Sequence, residues 1–182
     1  MKLFRLAAAL TIGLMAGGAG PAPGPLHIIG GPNTGGCIAG AVSLPPDGPG
    51  FQTIHLDRSA FWGAPETIAR LQLFGREAQA AGLPPLLIED ISRTRGGPMP
   101  GGHLSHQIGL DVDVGLDMRP RPPLSPVQRN TIELGSLVRP DGRGVEPDLW
   151  SPRVTALLHM AASLPEVDRV LVNPAIKQQL CR

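Results

Sequence analysis

The chain has 182 residues, a formal charge of +1 and 42% hydrophobic side chains, which suits one domain with or without a leader and excludes a strongly basic nucleic-acid-binding surface. Its 24 glycines, 21 prolines and complete lack of tyrosine exclude a large aromatic core and predict a loop-rich domain around a modest one.

Residues 1–19 carry Lys2 and Arg5, then an apolar run over 6–15, then small residues through Ala19, the order of regions in a secretory signal peptide cleaved after Ala19. The run is short for a membrane span and no stop-transfer segment follows, so the expectation is an exported protein without a membrane anchor. Loss of Lys2 and Arg5 turns the formal charge slightly negative. Residues 21–50 are rich in glycine and proline and are expected on the surface, with Gly36-Cys37-Ile38-Ala39-Gly40 as an anchor point. Residues 51–56 read as a short strand. Residues 65–81 read as a helix with Pro65 in its first turn, Ile68, Leu71 and Phe74 on one face, and Gly82 as its stop. A buried strand is expected over 86–91.

Residues 110–114, Leu-Asp-Val-Asp-Val, alternate apolar and acidic side chains, so as a strand they put Asp111 and Asp113 on one face. Downstream, prolines and the Pro140-Asp141-Gly142 turn break the pattern around a short helix over 126–137. Ser151 is placed to cap a helix over 152–162 with Val154, Leu157, Leu158 and Ala161 as its stripe. A strand over 167–172 and a helix opened by Asn173-Pro174 through Leu180 complete the chain. Mixed helices and strands with long connections give an α+β fold rather than a doubly wound sheet.

The chemistry concentrates in Gly101-Gly102-His103-Leu104-Ser105-His106-Gln107-Ile108-Gly109-Leu110-Asp111-Val112-Asp113. Imidazole nitrogen plus carboxylate oxygen is the donor set of a first-row divalent metal, and His106 and Asp113 suit it. The plain alternative is a polar turn followed by a strand with a solvated face. His27 and His55 read as surface residues, His159 as a core-edge residue, and Glu89 and Asp90 as partners for Arg93 or Arg95. Cys37 and Cys181 either pair with each other, as two cysteines of an exported protein often do, or stay apart; spacing does not choose.

That histidine block closely resembles the signature of the penicillin-insensitive murein endopeptidases. So do Gly36-Cys37-Ile38-Ala39-Gly40-Ala41 near the start and Val172-Asn173-Pro174-Ala175-Ile176-Lys177-Gln178-Gln179-Leu180-Cys181 near the end, so the resemblance runs from about residue 29 to 182. It implies a periplasmic zinc peptidase of the group that includes lysostaphin-like and D-Ala-D-Ala metallopeptidases, with a small antiparallel sheet and flanking helices. It further implies cleavage of peptidoglycan cross-links between D-alanine and meso-diaminopimelate. Zinc would be held by His106 and Asp113, with His103 as a further histidine of the metal site. A metal-activated water needs no serine nucleophile, so β-lactams have nothing to acylate.

The resemblance also defines departures. The family completes its site with a His-x-His element after the third block, supplying the last ligand and an acid/base histidine. None of the five histidines here lies in such a pair. The expectation is therefore that residues 20–182 form the endopeptidase domain without its C-terminal part, and that Cys37 and Cys181 each have a partner there. Where the family can show Asp-x-x-His at a second metal position, this chain has Asp141-Gly142-Arg143-Gly144, and Gly144 has no side chain to ligate. Two other functions stay open beside the endopeptidase: a non-catalytic cell-wall or zinc-binding module, and a D,D-carboxypeptidase on the related fold.

Overall fold

The computed structural model describes residues 24–31, 35–101, 103 and 105–182; the expected signal peptide lies outside the described residues. Near the start, β1 (His27–Ile29) pairs antiparallel with β2 (Cys37–Ala39), Ile28 opposite Ile38. A second two-stranded ribbon joins β3 (Val42–Ser43) to β6 (Trp62–Gly63), also antiparallel. The main sheet has four strands, β4 (Asp47–Gly48), β5 (Phe51–Thr53), β7 (Leu86–Ile88) and β8 (Val114–Gly115), in that spatial order.

This is the expected α+β architecture, with one parallel pairing in an otherwise antiparallel sheet. Between β5 and β7 the chain passes through α1 (Pro65–Ala80), and such a crossover returns the second strand in the direction of the first. The expected helical face is buried where it should be, through Ile68 and Phe74, with Leu71 packed beside them. Gly82 at φ +77 ends α1 and lets the Leu83 amide reach back to Ala78 O at 3.0 Å. The central strands β5 and β7 are buried along their whole length, β7 as its continuous apolar run predicts and β5 with Gln52 and Thr53 hydrogen-bonded, Thr53 to Pro45 O at 2.8 Å.

Three further helices cover the sheet's surroundings. In α2 (Pro126–Thr131), Ser125 and Gln128 form a reciprocal capping box. The helix stops at residue 131, short of the expected 137, because Ile132 turns extended at ψ 132 and the flanking Asn130, Thr131 and Gly135 are poor helix formers. Arg129 on α2 is buried and donates to Pro46 O at 2.8 Å and Asp47 Oδ1 at 2.6 Å, tying the helix to β4. The boundaries of α3 (Pro152–Ala162) match expectation, but Ser151 makes no side-chain cap bond. Its Val154, Leu157 and Leu158 enter the core, while His159 is exposed. Asn173 caps α4 (Pro174–Leu180) through the Ala175 amide at 2.9 Å, and Ile176 joins the same core.

The strand expected over 167–172 does not form. A strand needs a neighbouring ladder, and none of the described strands pairs with this segment; Leu171 is 80% exposed. Among the described residues no helix is long and apolar enough to cross a membrane.

Two stability predictions follow from this packing. Leu157→Ala should cost about 2–5 kcal/mol in chemical denaturation, because Leu157 is fully enclosed between α3 and the sheet side of the core. Asp117, two residues past β8, is buried and takes Arg119 at 2.6 Å and Arg121 at 2.7 Å. The Arg119 hydrogen bonds, with Arg121 and against burial, hold its carboxyl well below the usual carboxylate range. A depressed folded-state value stabilises the fold fully above about pH 4 and progressively less as the pH falls below it. Asp117→Asn should therefore lose about 1–2 kcal/mol at pH 7, discounted because Arg119 is largely solvated. The gap from wild type should narrow between about pH 4 and pH 2.

Candidate metal centre

The conspicuous histidines lie on the connection between β7 and β8. Two backbone bonds close its ends: Glu89 N–H to Asp113 O and Asp113 N–H to Asp90 O, each 2.9 Å. These extend the β7–β8 ladder beyond its regular strands. From there the chain runs beside β6, with the Ile91 and Ser92 amides both on Ala60 O, and then beside β2, where the Ile38 amide reaches Arg95 O at 3.1 Å.

The Gly36–Gly40 block serves this loop directly. Its Gly36 amide donates to Gln107 Oε1 at 3.1 Å, while Gln107 O accepts the Gly97 amide at 3.0 Å. Gly109, at φ +71, lies where a Cβ would sit 2.9 Å from Gly63 Cα, and its carbonyl takes the Ala64 amide. Only glycine permits that turn and that approach together. The loop is thus pressed against β6 on one side and the β2 region on the other, so the side chain of His106 is inward and 5% exposed.

His106 stands between two carboxylates. Its Nε2 is 3.3 Å from Asp113 Oδ2, and its Nδ1 is 3.1 Å from Asp111 Oδ2 and 3.2 Å from Ile91 O. The strand expected over 110–114 is regular only at Val114–Gly115, and Leu110 and Asp113 are both exposed; the two aspartates nevertheless both meet His106, because the loop folds the imidazole back between them. His103 is placed differently. Its Nε2 is 3.9 Å from Asp90 Oδ2, and its ring stands edge-on to His106 with centroids 5.7 Å apart. Among the described residues, no three or more His, Cys, Asp or Glu side chains gather closely enough to hold a metal ion.

The surrounding charges are mostly acidic. Burial disfavours a charged His106, but the hydrogen bond and charge of Asp113 and the charge of Asp111 outweigh it and push the imidazole up to about 9. Burial, then the neighbouring Asp113 and Asp90, push the Glu89 carboxyl up. Burial and Arg58 lower His55, whose Nε2 is 3.7 Å from Glu89. The buried Asp90 takes Arg58 at 3.1 Å.

These partners differ from those read in the sequence. Glu89 meets His55 and Asp90 meets Arg58, not Arg93 or Arg95, and His55 is half-buried rather than a surface residue. No local pattern relates Arg58 to Asp90, 32 positions away, whereas the Asp-x-Asp alternation did flag Asp111. His27 is exposed on β1, as expected. Cys37 and Cys181 are exposed free thiols, not bonded to each other. Asp141 sits in a tight turn, accepting the Arg143 amide at 3.0 Å, with Gly144 O on the Arg139 amide.

A family model described as penicillin-insensitive murein endopeptidase matches residues 28–182. The chain is 41% identical over 146 residues to the penicillin-insensitive murein endopeptidase of Klebsiella pneumoniae subsp. pneumoniae, covering 80% of this chain and 53% of the relative. Relatives of the same name from Citrobacter koseri and Salmonella paratyphi B are 38% and 40% identical over 161 residues, each match covering 88% of this chain and 58% of the relative. The chain thus spans little more than half the length of these curated relatives. All three sequence blocks lie inside the matched region, and the chain belongs to the penicillin-insensitive murein endopeptidase family.

Proposed function

We propose that this chain is the main part of a zinc-dependent endopeptidase that acts in the periplasm on peptidoglycan, at the cross-links between D-alanine and meso-diaminopimelate. The observation that carries the reading is the pairing of His106 Nε2 with Asp113 Oδ2 at 3.3 Å, at the mouth of an otherwise enclosed loop. Ligand atoms about 2.1 Å from a tetrahedral ion stand roughly 3.4 Å from each other, so this nitrogen and oxygen are spaced to share one. The same spacing also serves an imidazolium–carboxylate pair, and the variants below separate the two.

His106 and Asp113 would hold the ion, and His103 would be a further donor at its edge. When bound, zinc supplies Lewis acidity, polarising a scissile carbonyl and bringing the pKa of a water to about 7. The protein's own part is placement. The buried loop fixes the imidazole, Asp113 is half-exposed and so open to substrate, and Asp90 with Arg58 flanks His103. Cys37 and Cys181 would each bond to a cysteine elsewhere in a longer chain, and the Arg139–Gly144 turn would hold no second metal.

A second reading is favoured by one observation. Catalytic zinc sites use three protein ligands, and the described residues gather fewer. A module that binds cell wall or zinc without turnover would need no more.

Two measurements decide. Purified protein is assayed for bound zinc and for cleavage of cross-linked muropeptide dimers. For a full-length form that carries the family's His-x-His element, the proposal expects zinc retention and dimer cleavage, which this chain alone is not required to show. It expects His106→Ala or Asp113→Ala there to reduce metal affinity and turnover by more than about 100-fold each, beyond the loss typical of an outer-shell change. Stoichiometric zinc and undiminished cleavage in either variant would refute the ligand assignment. Binding to sacculi without product would favour the second reading, and release of a terminal D-alanine alone would make the enzyme a carboxypeptidase.

A further inference from the structure

We infer that Asp111 is a positioning residue for the metal centre: its carboxylate takes the backbone amide of His106 and sets a negative charge beside Nδ1, which with the Ile91 carbonyl keeps that nitrogen inward and presents Nε2 beside Asp113. This rests on the reading of His106 as a metal ligand and names the residue that orients it.

Four observations support it. Asp111 Oδ2 accepts the His106 backbone amide at 2.7 Å and lies 3.1 Å from Nδ1 of the same residue, so one oxygen clamps the main chain and the ring together. The other neighbour of Nδ1 is the carbonyl of Ile91 at 3.2 Å. Both are acceptors, so Nδ1 carries a proton, and Nε2, which faces only Asp113 Oδ2, is the nitrogen that a cation shared with that carboxylate would take. His106 has φ 61, a left-handed conformation that a residue with a side chain adopts when its surroundings impose it, and the Asp111 bond to its amide is one such restraint. Finally, the second oxygen, Asp111 Oδ1, is buried without a hydrogen-bond partner among the described residues. A carboxylate placed only to solvate a turn would not leave an oxygen so disposed, whereas one aimed at the ring accepts that cost.

The bland alternative is that Asp111 merely closes the turn over 106–111. Asparagine separates the two roles, since its side-chain oxygen can keep the amide bond while the negative charge beside Nδ1 is gone. A carboxylate behind a ligating histidine fixes its tautomer and raises its basicity, and losing such a partner typically weakens metal binding by 10–100-fold.

The test compares wild type, Asp111→Asn and His106→Ala by zinc competition against a chromogenic chelator, with thermal melting as a fold control. Long-range proton–nitrogen spectra of the zinc-loaded wild type read which ring nitrogen carries the proton. The expected result is a proton on Nδ1 in wild type and a zinc affinity about 10–100-fold weaker in Asp111→Asn at nearly unchanged melting temperature. Zinc on Nδ1 in wild type, or wild-type affinity in Asp111→Asn while His106→Ala loses the metal, would overturn this inference alone. Unfolding of Asp111→Asn would leave the wild-type spectrum to decide. Unchanged zinc binding in His106→Ala, or none in wild type, would instead overturn the ligand reading on which it rests.

Discussion

The two backbone bonds that join Asp113 to Glu89 and Asp90 are the constraint on which the site depends. They bring together the ends of a connection more than twenty residues long and so convert sequence neighbours of β7 and β8 into spatial neighbours of each other. Closing such a loop costs entropy that grows slowly with its length, and the buried β5–β7–β8 ladder offsets it. Without that closure Asp113 would have no fixed relation to Asp90, to Glu89 or to the histidine that folds back between them.

Within the closed loop, shape is imposed from outside. Gln107 is held by the Gly36 and Gly97 amides, Gly109 packs against Gly63, and Ile108 is buried beneath them. The three sequence blocks that carry the family resemblance thus have different physical duties. The first is a brace, the second carries the donors, and the third is a helix whose Ile176 packs into the same core as α1 and α3. Only the second block holds histidines and carboxylates, yet its geometry depends on the first.

Electrostatically the site is a small acidic field around a buried imidazole. Asp111, Asp113, Asp90 and Glu89 outnumber the nearby cation Arg58; Asp113 and Asp111 raise His106 against its burial, and burial together with Asp113 and Asp90 raises the Glu89 carboxyl. Such a field attracts cations whether or not they are catalytic. It also resists the approach of anionic substrate groups unless a bound cation offsets it. The acidic field and the proposed zinc chemistry are therefore mutually consistent, and each is sensitive to the same few carboxylates.

Much of this was legible in the residues. Helical period and proline–glycine punctuation located α1, α3 and α4 closely, because those signals come from local backbone geometry, whereas Asp111 and Asp113 meet His106 through the folding of the loop rather than through a regular strand over 110–114. The resemblance of three ordered blocks placed the chain in its family. A signal that needs a partner elsewhere misled at residues 167–172, which have strand composition but no neighbouring ladder among the described residues, while α2 ended early for a local reason, where Ile132 turns extended. The pairing of Arg58 with Asp90, of His55 with Glu89 and the double grip of Asp111 on His106 were decided only by tertiary structure. Those contacts depend on which strands lie beside which, and a linear pattern carries no distance between them.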